Sequence, residues 1–209
     1  MASPASVTRK DTVRAFKRQQ FVAAARRLYD STGADGLTMR DIAREAGYSL
    51  GATYAYFGSK EEIEAELLAE TFSQLARQIR KSLSPGTLGA GEANPFRLFY
   101  RHFVRNGKDR QLYLNCLSPD PDRAPSPDAN FLTIINNRLI PTLGIMANWL
   151  HGTVGFPPVD AQRETLDAIA FITGVLMLSA NAPLGAMGED GEERVDRYLQ
   201  RMLLRKKQE

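Results

Sequence analysis

The residue types that usually carry catalysis or bind metals are scarce in this chain. It holds two histidines, His102 and His151, and one cysteine, Cys116. Neither histidine stands in an H-E-x-x-H or E-x-x-H pattern, so a histidine metal site is not indicated. A single cysteine allows no intrachain disulfide and is far more often a buried apolar residue than a nucleophile. We therefore expect no catalytic residue, no metal site, no cofactor and no enzymatic activity.

Charge is distributed unevenly along the 209 residues. Residues 1–60 carry a net charge of +5 and residues 61–209 a net charge of −2, within a total of +3. A basic first quarter on a slightly acidic remainder points to a polyanion that is contacted at one end of the protein. The alternative is an uneven surface composition, and charge alone does not decide between the two.

The elements that must position these residues are helices. Apolar residues recur at the i, i+3, i+4, i+7 spacing of a helix in almost every informative segment, and no useful run alternates as a strand does. The sequence therefore predicts an all-α fold. We predict a helix-turn-helix domain over residues 1–58, with helices near 12–31, 39–46 and 50–57. A second helical domain covers residues 59–209 and begins with a long helix that fades near residue 84.

Three hydroxyl residues mark where helices begin. Thr38 and Ser59 each start a capping box, with Asp41 and Glu62 three residues later, and Ser49 can cap a third helix. Gly47 tolerates the left-handed conformation that ends a helix. Helices of about eight residues are too short to be stable alone, so the flanking long helices must hold them. A short helix pair on the basic end is the geometry that places a second helix in a DNA major groove.

The second domain has further helical patterns over residues 96–103, 132–150, 160–181 and 192–205. Pro141 must kink or divide the second of these, and residues 119–127 read as a Pro/Asp-rich loop. Two charge-free runs, 139–159 and 168–187, are broken by proline and polar residues, so buried helices are expected rather than membrane spans. The first twenty residues lack an apolar signal segment. We expect a cytoplasmic protein without a membrane partner.

The segment from residue 18 to residue 63 resembles the TetR-type transcriptional regulators. The matching positions, in the order and spacing of that family, are Ala24, Ala25, Gly33, Thr38, Ile42, Ala43, Ala46, Gly47, Tyr54, Phe57, Lys60 and Glu61. The resemblance implies a homodimer that binds palindromic double-stranded operator DNA. It also implies repression that is relieved when a small-molecule effector binds the C-terminal domain. A helical small-molecule binding protein or enzyme that no longer engages DNA is the alternative.

Physical reasoning and the resemblance together give a set of expected DNA contacts. Lys60 begins a helix whose dipole favours the same anion as its ammonium group, and Tyr54 is preferred over Tyr56 as a phosphate contact. The family often carries a basic residue where Leu50 stands, so contact of Leu50 or Ala52 with thymine methyl groups is expected instead. The full set is Thr38, Arg40, Ser49, Leu50, Gly51, Thr53, Tyr54, Tyr56 and Lys60. Additional positive charge is available from Arg9, Lys10, Arg14, Lys17 and Arg18, either as a disordered arm in the minor groove or as a solvated tail.

In the second domain the expectations concern a pocket and a dimer interface. A mainly apolar effector pocket is predicted, with Asn137 as its polar anchor, and ordinary core packing is the alternative. The pocket residues are Phe99, Phe103, Tyr113, Asn137, Met146 and Trp149. The last two helices are expected to pair with their symmetry mates through Ile169, Thr173, Leu176, Met177, Val195, Tyr198, Leu199 and Met202. A row of Arg97, Arg101 and Arg105 reads as a solvated face or as a site for an acidic ligand.

Overall fold

A computed structural model describes residues 9–34, 36–84, 94–117, 129–180 and 190–206. These residues form α-helices and no strand, which confirms the all-α prediction. The helices are α1 (Arg9–Thr32), α2 (Met39–Ala46), α3 (Leu50–Tyr54), α4 (Lys60–Ser82), α5 (Pro95–Arg105), α6 (Gly107–Leu117), α7 (Ala129–Trp149), α8 (Pro158–Ala180) and α9 (Gly191–Lys206). A π-helical turn, Leu150–Val154, continues α7. The predicted loop over residues 119–127 lies outside the described residues.

The predicted helix starts are confirmed in atomic detail. The backbone N–H of Asp41 donates to Thr38 Oγ1 (3.1 Å), and the Thr38 hydroxyl donates back to the Asp41 carboxylate (2.6 Å). The N–H of Glu62 donates to Ser59 Oγ (3.3 Å). Gly47 ends α2 in the left-handed region, with φ of 75°. These local interactions fix the bounds of α2 and the start of α4 before any tertiary packing is considered.

An aromatic core holds the three N-terminal helices together. Phe21 of α1 is fully buried, and its ring centre lies 4.9 Å from that of Tyr48, 5.5 Å from Tyr56 and 6.2 Å from Phe57. Tyr48 precedes α3, and the other two rings follow it. One side chain of α1 therefore packs against both ends of the five-residue helix α3 and sets its position.

Two features of the second domain go beyond the prediction. Of the two effects predicted for Pro141, a kink or a division of the helix, the structure excludes division, because α7 runs through Pro141 without a break. Pro141 lies on the exposed side of α7, where water can satisfy the carbonyl that loses its intrahelical partner. Helix α6 was not predicted, because only Leu112, Tyr113 and Cys116 are buried along its eleven residues. In the described part of the chain, no helix combines the length and the apolar character needed to cross a membrane.

Candidate nucleic-acid interface

A depression of about 560 Å³ lies on the surface where α2, α3 and the start of α4 meet. Five of the nine predicted DNA contacts line it: Thr38, Arg40, Leu50, Tyr54 and Lys60. Its floor is apolar, from Leu37 and Met39, and its rim carries hydroxyl, phenol, guanidinium and ammonium donors. Side chains from three elements therefore converge on one face, which the capping interactions at Thr38 and Ser59 hold in place.

The recognition helix α3 presents one face to solvent. Ser49 caps it by accepting the N–H of Ala52 (3.2 Å), and Ser49, Leu50, Gly51 and Tyr54 are exposed. Thr53 is fully buried, and its hydroxyl donates to the Ser49 carbonyl (3.3 Å). The prediction that Thr53 faces the groove was therefore wrong. A five-residue helix needs an inward-facing side chain to dock on the core, and Thr53 fills that role.

The two candidate tyrosines occupy different environments. Tyr54 is half exposed and lines the depression, as a phosphate contact requires. Tyr56 packs against Phe21, and the guanidinium of Arg14 lies 5.7 Å from its ring centre. Tyr56 is therefore part of the domain core rather than of the exposed face.

Lys60 is already engaged by an acidic partner. Its ammonium lies 3.1 Å from the carboxylate of Glu64, one turn further along α4, and Glu64 is nearly buried. A phosphate that reaches Lys60 would therefore share the ammonium group with Glu64.

The basic segment at the start of the chain is not a disordered arm from residue 9 onward, because α1 begins there. Arg18 is held inside the domain: its guanidinium donates to Glu62 (2.8 Å), Glu66 (2.8 Å) and the Tyr56 carbonyl (2.6 Å). Burial lowers the pKa of Arg18, but the two carboxylates outweigh it and raise that pKa above its usual value. Arg18 is thus a structural residue, and its charge is not available to DNA.

Residues 47–51 also match the G-x-S-x-G pattern of hydrolases, which the expectation of no catalytic residue did not take into account. That pattern needs a strand before the serine, whereas Ser49 lies between two helices and its hydroxyl accepts the Ala52 N–H. The serine therefore serves as a helix cap. Within the described ranges, no group of three or more His, Cys, Asp or Glu residues is arranged to hold a metal.

Comparison with known proteins agrees with this geometry. A family model described as "Bacterial regulatory proteins, tetR family" matches residues 21–67. The HTH-type transcriptional regulator BetI of Agrobacterium fabrum is 43% identical over 175 residues, which cover 81% of each protein. The chain belongs to the TetR family. Its relatives carry the names of transcriptional regulators, and the helix-turn-helix described above is the DNA-binding domain of that family.

Two further proteins are similar to this chain over different fractions of its length. The nicotine-responsive repressor HdnoR of Paenarthrobacter nicotinovorans is 38% identical over 63 residues, or 30% of this chain and 32% of that protein. The crystal structure of FadR from Thermus thermophilus, in complex with lauroyl-CoA, superposes with a TM-score of 0.62 at 24% identity. It covers 90% of this chain and 93% of that one, so the two share the whole fold.

The expected pocket residues form a dense aromatic cluster in the second domain. Phe99, Phe103, Tyr113 and Met146 are buried, and the rings of Phe103 and Tyr113 stack with centres 4.7 Å apart. Phe72 of α4 joins them, with its ring centre 6.0 Å from that of Tyr113. It was missed as a pocket residue, although the helical periodicity of apolar residues along α4 could have revealed it. Trp149 is half-buried at the edge, 6.3 Å from Phe96.

The polar group of this cluster is not the predicted one. Asn137 lies on the exposed side of α7, so its assignment as a pocket anchor was wrong. Its position two residues after the buried Ile135 places it on the opposite face of the helix. The buried polar contact is instead the 2.7 Å hydrogen bond between the hydroxyls of Tyr113 and Thr173. Burial raises the pKa of Tyr113 despite this hydrogen bond.

Most of the predicted dimer residues face the interior of the same chain. Ile169, Leu176, Val195, Leu199 and Met202 are buried, so they cannot form a surface between subunits. Thr173 bonds Tyr113, and the Tyr198 ring stacks on Phe171 at 4.3 Å. Only Met177 of the predicted set is well exposed. Helix α8 is apolar on nearly all sides, so periodicity did not reveal which side packs inward.

An apolar stripe does remain exposed on the other side of α8. Val159, Leu166, Ala170 and Met177 are spaced by seven, four and seven residues, which places them on one face. Leu166 is 60% exposed, and Leu204 of α9 is 56% exposed. We call Val159, Leu166, Ala170 and Met177 the α8 stripe.

Two of the three arginines in the row on α5 are paired within the chain, whereas Arg105 is exposed, as the solvated-face reading expects. Arg97 lies 2.8 Å from Asp196 and Arg101 lies 2.7 Å from Glu192, both on α9. These ion pairs tie α5 to the last helix.

Proposed function

We propose that this chain is a repressor that binds a palindromic operator duplex as a homodimer and releases it when a small effector binds its second domain. The observation that carries the proposal is the convergence of Thr38, Arg40, Leu50, Tyr54 and Lys60 on one depression beside the recognition helix. Their donors match the acceptors of DNA, since phosphates fix position and base edges specify sequence. DNA as the partner places the protein in the cytoplasm.

Gly51 supports close approach by a partner outside the chain. It is exposed on α3, and a Cβ atom added to it would meet no atom of the protein within 4 Å. Its φ also lies outside the left-handed region that favours glycine. Neither packing nor backbone conformation therefore requires glycine at this position. A helix that enters a groove about 12 Å wide benefits from a small residue on its leading face.

The α8 stripe supports the homodimer. Contiguous apolar surface on a soluble domain marks an interaction site, and two-fold operators are bound by two-fold proteins. Pairing α8 and α9 with their symmetry mates would bury Leu166, Met177 and Leu204, which the single chain leaves exposed. An interface of this kind is isologous, so the same patch of each subunit need only complement itself.

The aromatic cluster supports an apolar or amphipathic effector. FadR of Thermus thermophilus was crystallised with lauroyl-CoA and HdnoR is nicotine-responsive, so related proteins use molecules with a large apolar part. We propose that the hydroxyls of Tyr113 and Thr173, which hydrogen-bond each other beside the cluster, turn to one polar group of such a molecule when it binds.

Selection of bound fragments from random duplexes tests the DNA function. We expect enrichment of a palindromic sequence by the wild type and by Gly51→Ala, which adds only one methyl group. Gly51→Leu, whose Cβ likewise meets no protein atom within 4 Å, should bind the selected duplex at least about tenfold more weakly, a loss of about 1.4 kcal/mol. If no sequence is enriched at low salt, the proposal fails, and a helical binding protein without DNA function is supported.

Fluorescence of Trp149 tests the effector function, since this is the only tryptophan. Titration with lauroyl-CoA should shift or quench the emission and weaken binding to the selected duplex at matching concentrations. Free coenzyme A, which lacks the acyl chain, is the control and should do neither. Acyl-dependent binding without any change in DNA affinity would contradict a regulatory site for acyl chains.

A further inference from the structure

One carboxylate brings four helices together at the boundary between the two domains. Asp109 belongs to the first turn of α6. Its Oδ1 accepts from Arg26 Nη1 of α1 (3.1 Å) and from the Thr71 hydroxyl of α4 (3.3 Å). Its Oδ2 lies 3.2 Å from His102 Nε2 of α5. Helix α1 belongs to the DNA-binding domain, whereas α5 and α6 belong to the second domain.

The groups around Asp109 are poorly exposed. The side chains of Arg26, Asp109 and His102 are 20%, 17% and 8% exposed. Burial raises the pKa of Asp109, but its hydrogen bond with His102 and the charge of Arg26 outweigh burial, so the pKa lies below its usual value. Arg26 also donates to the Leu67 carbonyl (2.6 Å) of α4. Charges withdrawn from water in this way depend strongly on their partners.

A second attachment lies one residue away. The Tyr29 hydroxyl of α1 donates to the Lys108 carbonyl (2.8 Å), and the Lys108 ammonium donates to the Asp30 carbonyl. Tyr29 is almost fully buried. The last two turns of α1 are therefore fastened to the first turn of α6 by two consecutive residues of α6.

These hydrogen bonds between α1 and α6 link the two domains in addition to the covalent connection through α4. The chain passes from the helix-turn-helix to the second domain through α4, and Arg18 and Arg26 bond α1 to that same helix. The bonds to α6 attach α1 to a second helix and so restrain its orientation further. We propose that Asp109 is a positioning residue that couples the orientation of the DNA-binding domain to α6, so that a displacement of α6 reaches α1 directly as well as through α4. The consequence for DNA rests on the proposed function; the coupling itself does not.

Hydrogen exchange on the free protein tests the coupling. Asp109→Asn keeps the shape of the side chain, and Arg26→Gln removes the opposite charge. Each should speed amide exchange in α2, α3 and the last two turns of α1 by about tenfold, the scale of one charged hydrogen bond. The increase in the double variant should be smaller than the product of the two single increases, because both variants break the same Arg26–Asp109 contact, although each also loses contacts of its own.

Asp196→Asn is the matched control, since it breaks a 2.8 Å carboxylate–arginine pair within the second domain. It should leave exchange in α1–α3 unchanged. If Asp109→Asn does not fold, Arg26→Gln still tests the Asp109 contact, and Tyr29→Phe tests the second attachment of α1 to α6, because it removes the bond to Lys108 and should speed exchange in the same helices. Exchange that rises evenly over the whole chain, or not at all in α1–α3, would overturn the proposal.

The selected duplex supplies the functional readout. Asp109→Asn and Arg26→Gln should each weaken DNA binding by about tenfold, again without additivity in the double variant. Losses that add would show that the two residues act independently and would refute the coupling. If the wild type selects no duplex, the proposed function fails, while the exchange measurement still decides the role of Asp109.

Discussion

The guanidinium carbon of Arg18 lies 4.0 Å from the centre of the Phe57 ring. The two residues are 39 positions apart, and the contact joins α1 to the turn that follows the recognition helix. The same guanidinium bonds Glu62 and Glu66 at the start of α4. Arg18 therefore links the first helix, the end of the helix-turn-helix and the long helix that leads into the second domain.

Arg18→Lys should destabilise the protein although it preserves the charge. An ammonium group cannot bond three acceptors in one plane while it stacks on a ring. We expect a loss of about 1–3 kcal/mol in the free energy of unfolding, as for a charged hydrogen-bond network that is partly buried. Thermal and urea unfolding measure it. Arg163→Lys is the control, because Arg163 is largely exposed and makes only a 3.6 Å contact with Asp160; an equal effect in both would contradict the structural role of Arg18.

Tyr54→Phe and the loss of Lys60 should weaken DNA binding nearly equally for all sequences, because phosphate contacts carry no base information. Lys60→Ala alone would leave Glu64 buried without its partner. We therefore compare two variants that both lack this carboxylate, the single variant Glu64→Gln and the double variant Glu64→Gln with Lys60→Ala. Removing the ammonium should reduce the slope of log affinity against log salt by about 1. An unchanged slope would show that Lys60 does not contact phosphate.

Arg40→Ala and Leu50→Ala should change sequence preference rather than overall affinity. Both side chains line the depression, and Leu50 is the apolar group at the start of α3 that is suited to thymine methyl groups. Selection from random duplexes with each variant measures the change. The wild-type consensus, recovered unaltered with both variants, would indicate that other residues read the bases.

Leu166→Arg should convert the proposed homodimer to monomers that remain folded. Leu166 is 60% exposed on the α8 stripe, so the charge meets solvent in the monomer but is buried in the pair. Leu176→Arg, in contrast, should unfold the protein, because Leu176 is fully buried within one chain. Ile140→Arg is the control, at 63% exposure on α7, and should leave the mass unchanged. Sedimentation at micromolar concentration measures the mass of each of the three variants, and circular dichroism shows whether it is folded. A wild type that sediments as a monomer would refute the dimer.

Cys116 should be almost inert in the folded protein. Burial, helped by the charge of Glu64, raises the pKa of its thiol to about 12, so little thiolate forms near neutral pH. At pH 8 we expect reaction with Ellman's reagent at least about a hundredfold slower than in guanidinium chloride. Ser31→Cys, exposed on α1, should react at once with one equivalent and serves as the control. Rapid labelling of two thiols in that variant would contradict the burial of Cys116.

The sequence predicted well the helix ends, which are determined by residues close together in the chain. Thr38, Ser49, Ser59 and Gly47 act on their own helix ends, and the structure has each in its predicted role. What it predicted poorly depends on which face of an element turns inward. Helix α8 has apolar residues nearly all around it, so Leu176 and Leu166 read alike although one is buried and the other exposed.

Helix α6 and the contacts of Asp109 were also not predicted, because they too depend on how complete helices pack together. Helix α6 buries three residues only, too few to produce a clear period, yet its Asp109 makes contacts across the domain boundary. The partners of Asp109 are 7 to 83 positions away along the chain. No local pattern contains such a relationship, because only the packing of complete helices brings those residues together.

The brevity of α3 has a consequence for genetics. Five residues cannot hold a helical conformation by themselves, so the reading surface exists only while Phe21, Tyr48 and Phe57 support it from behind. In a screen for mutants that have lost DNA binding, substitutions at Phe21 would be recovered beside those at Leu50 and would give the same phenotype. Thermal stability would separate the two classes, because only the Phe21 mutants would also be scarce in the cell at elevated temperature.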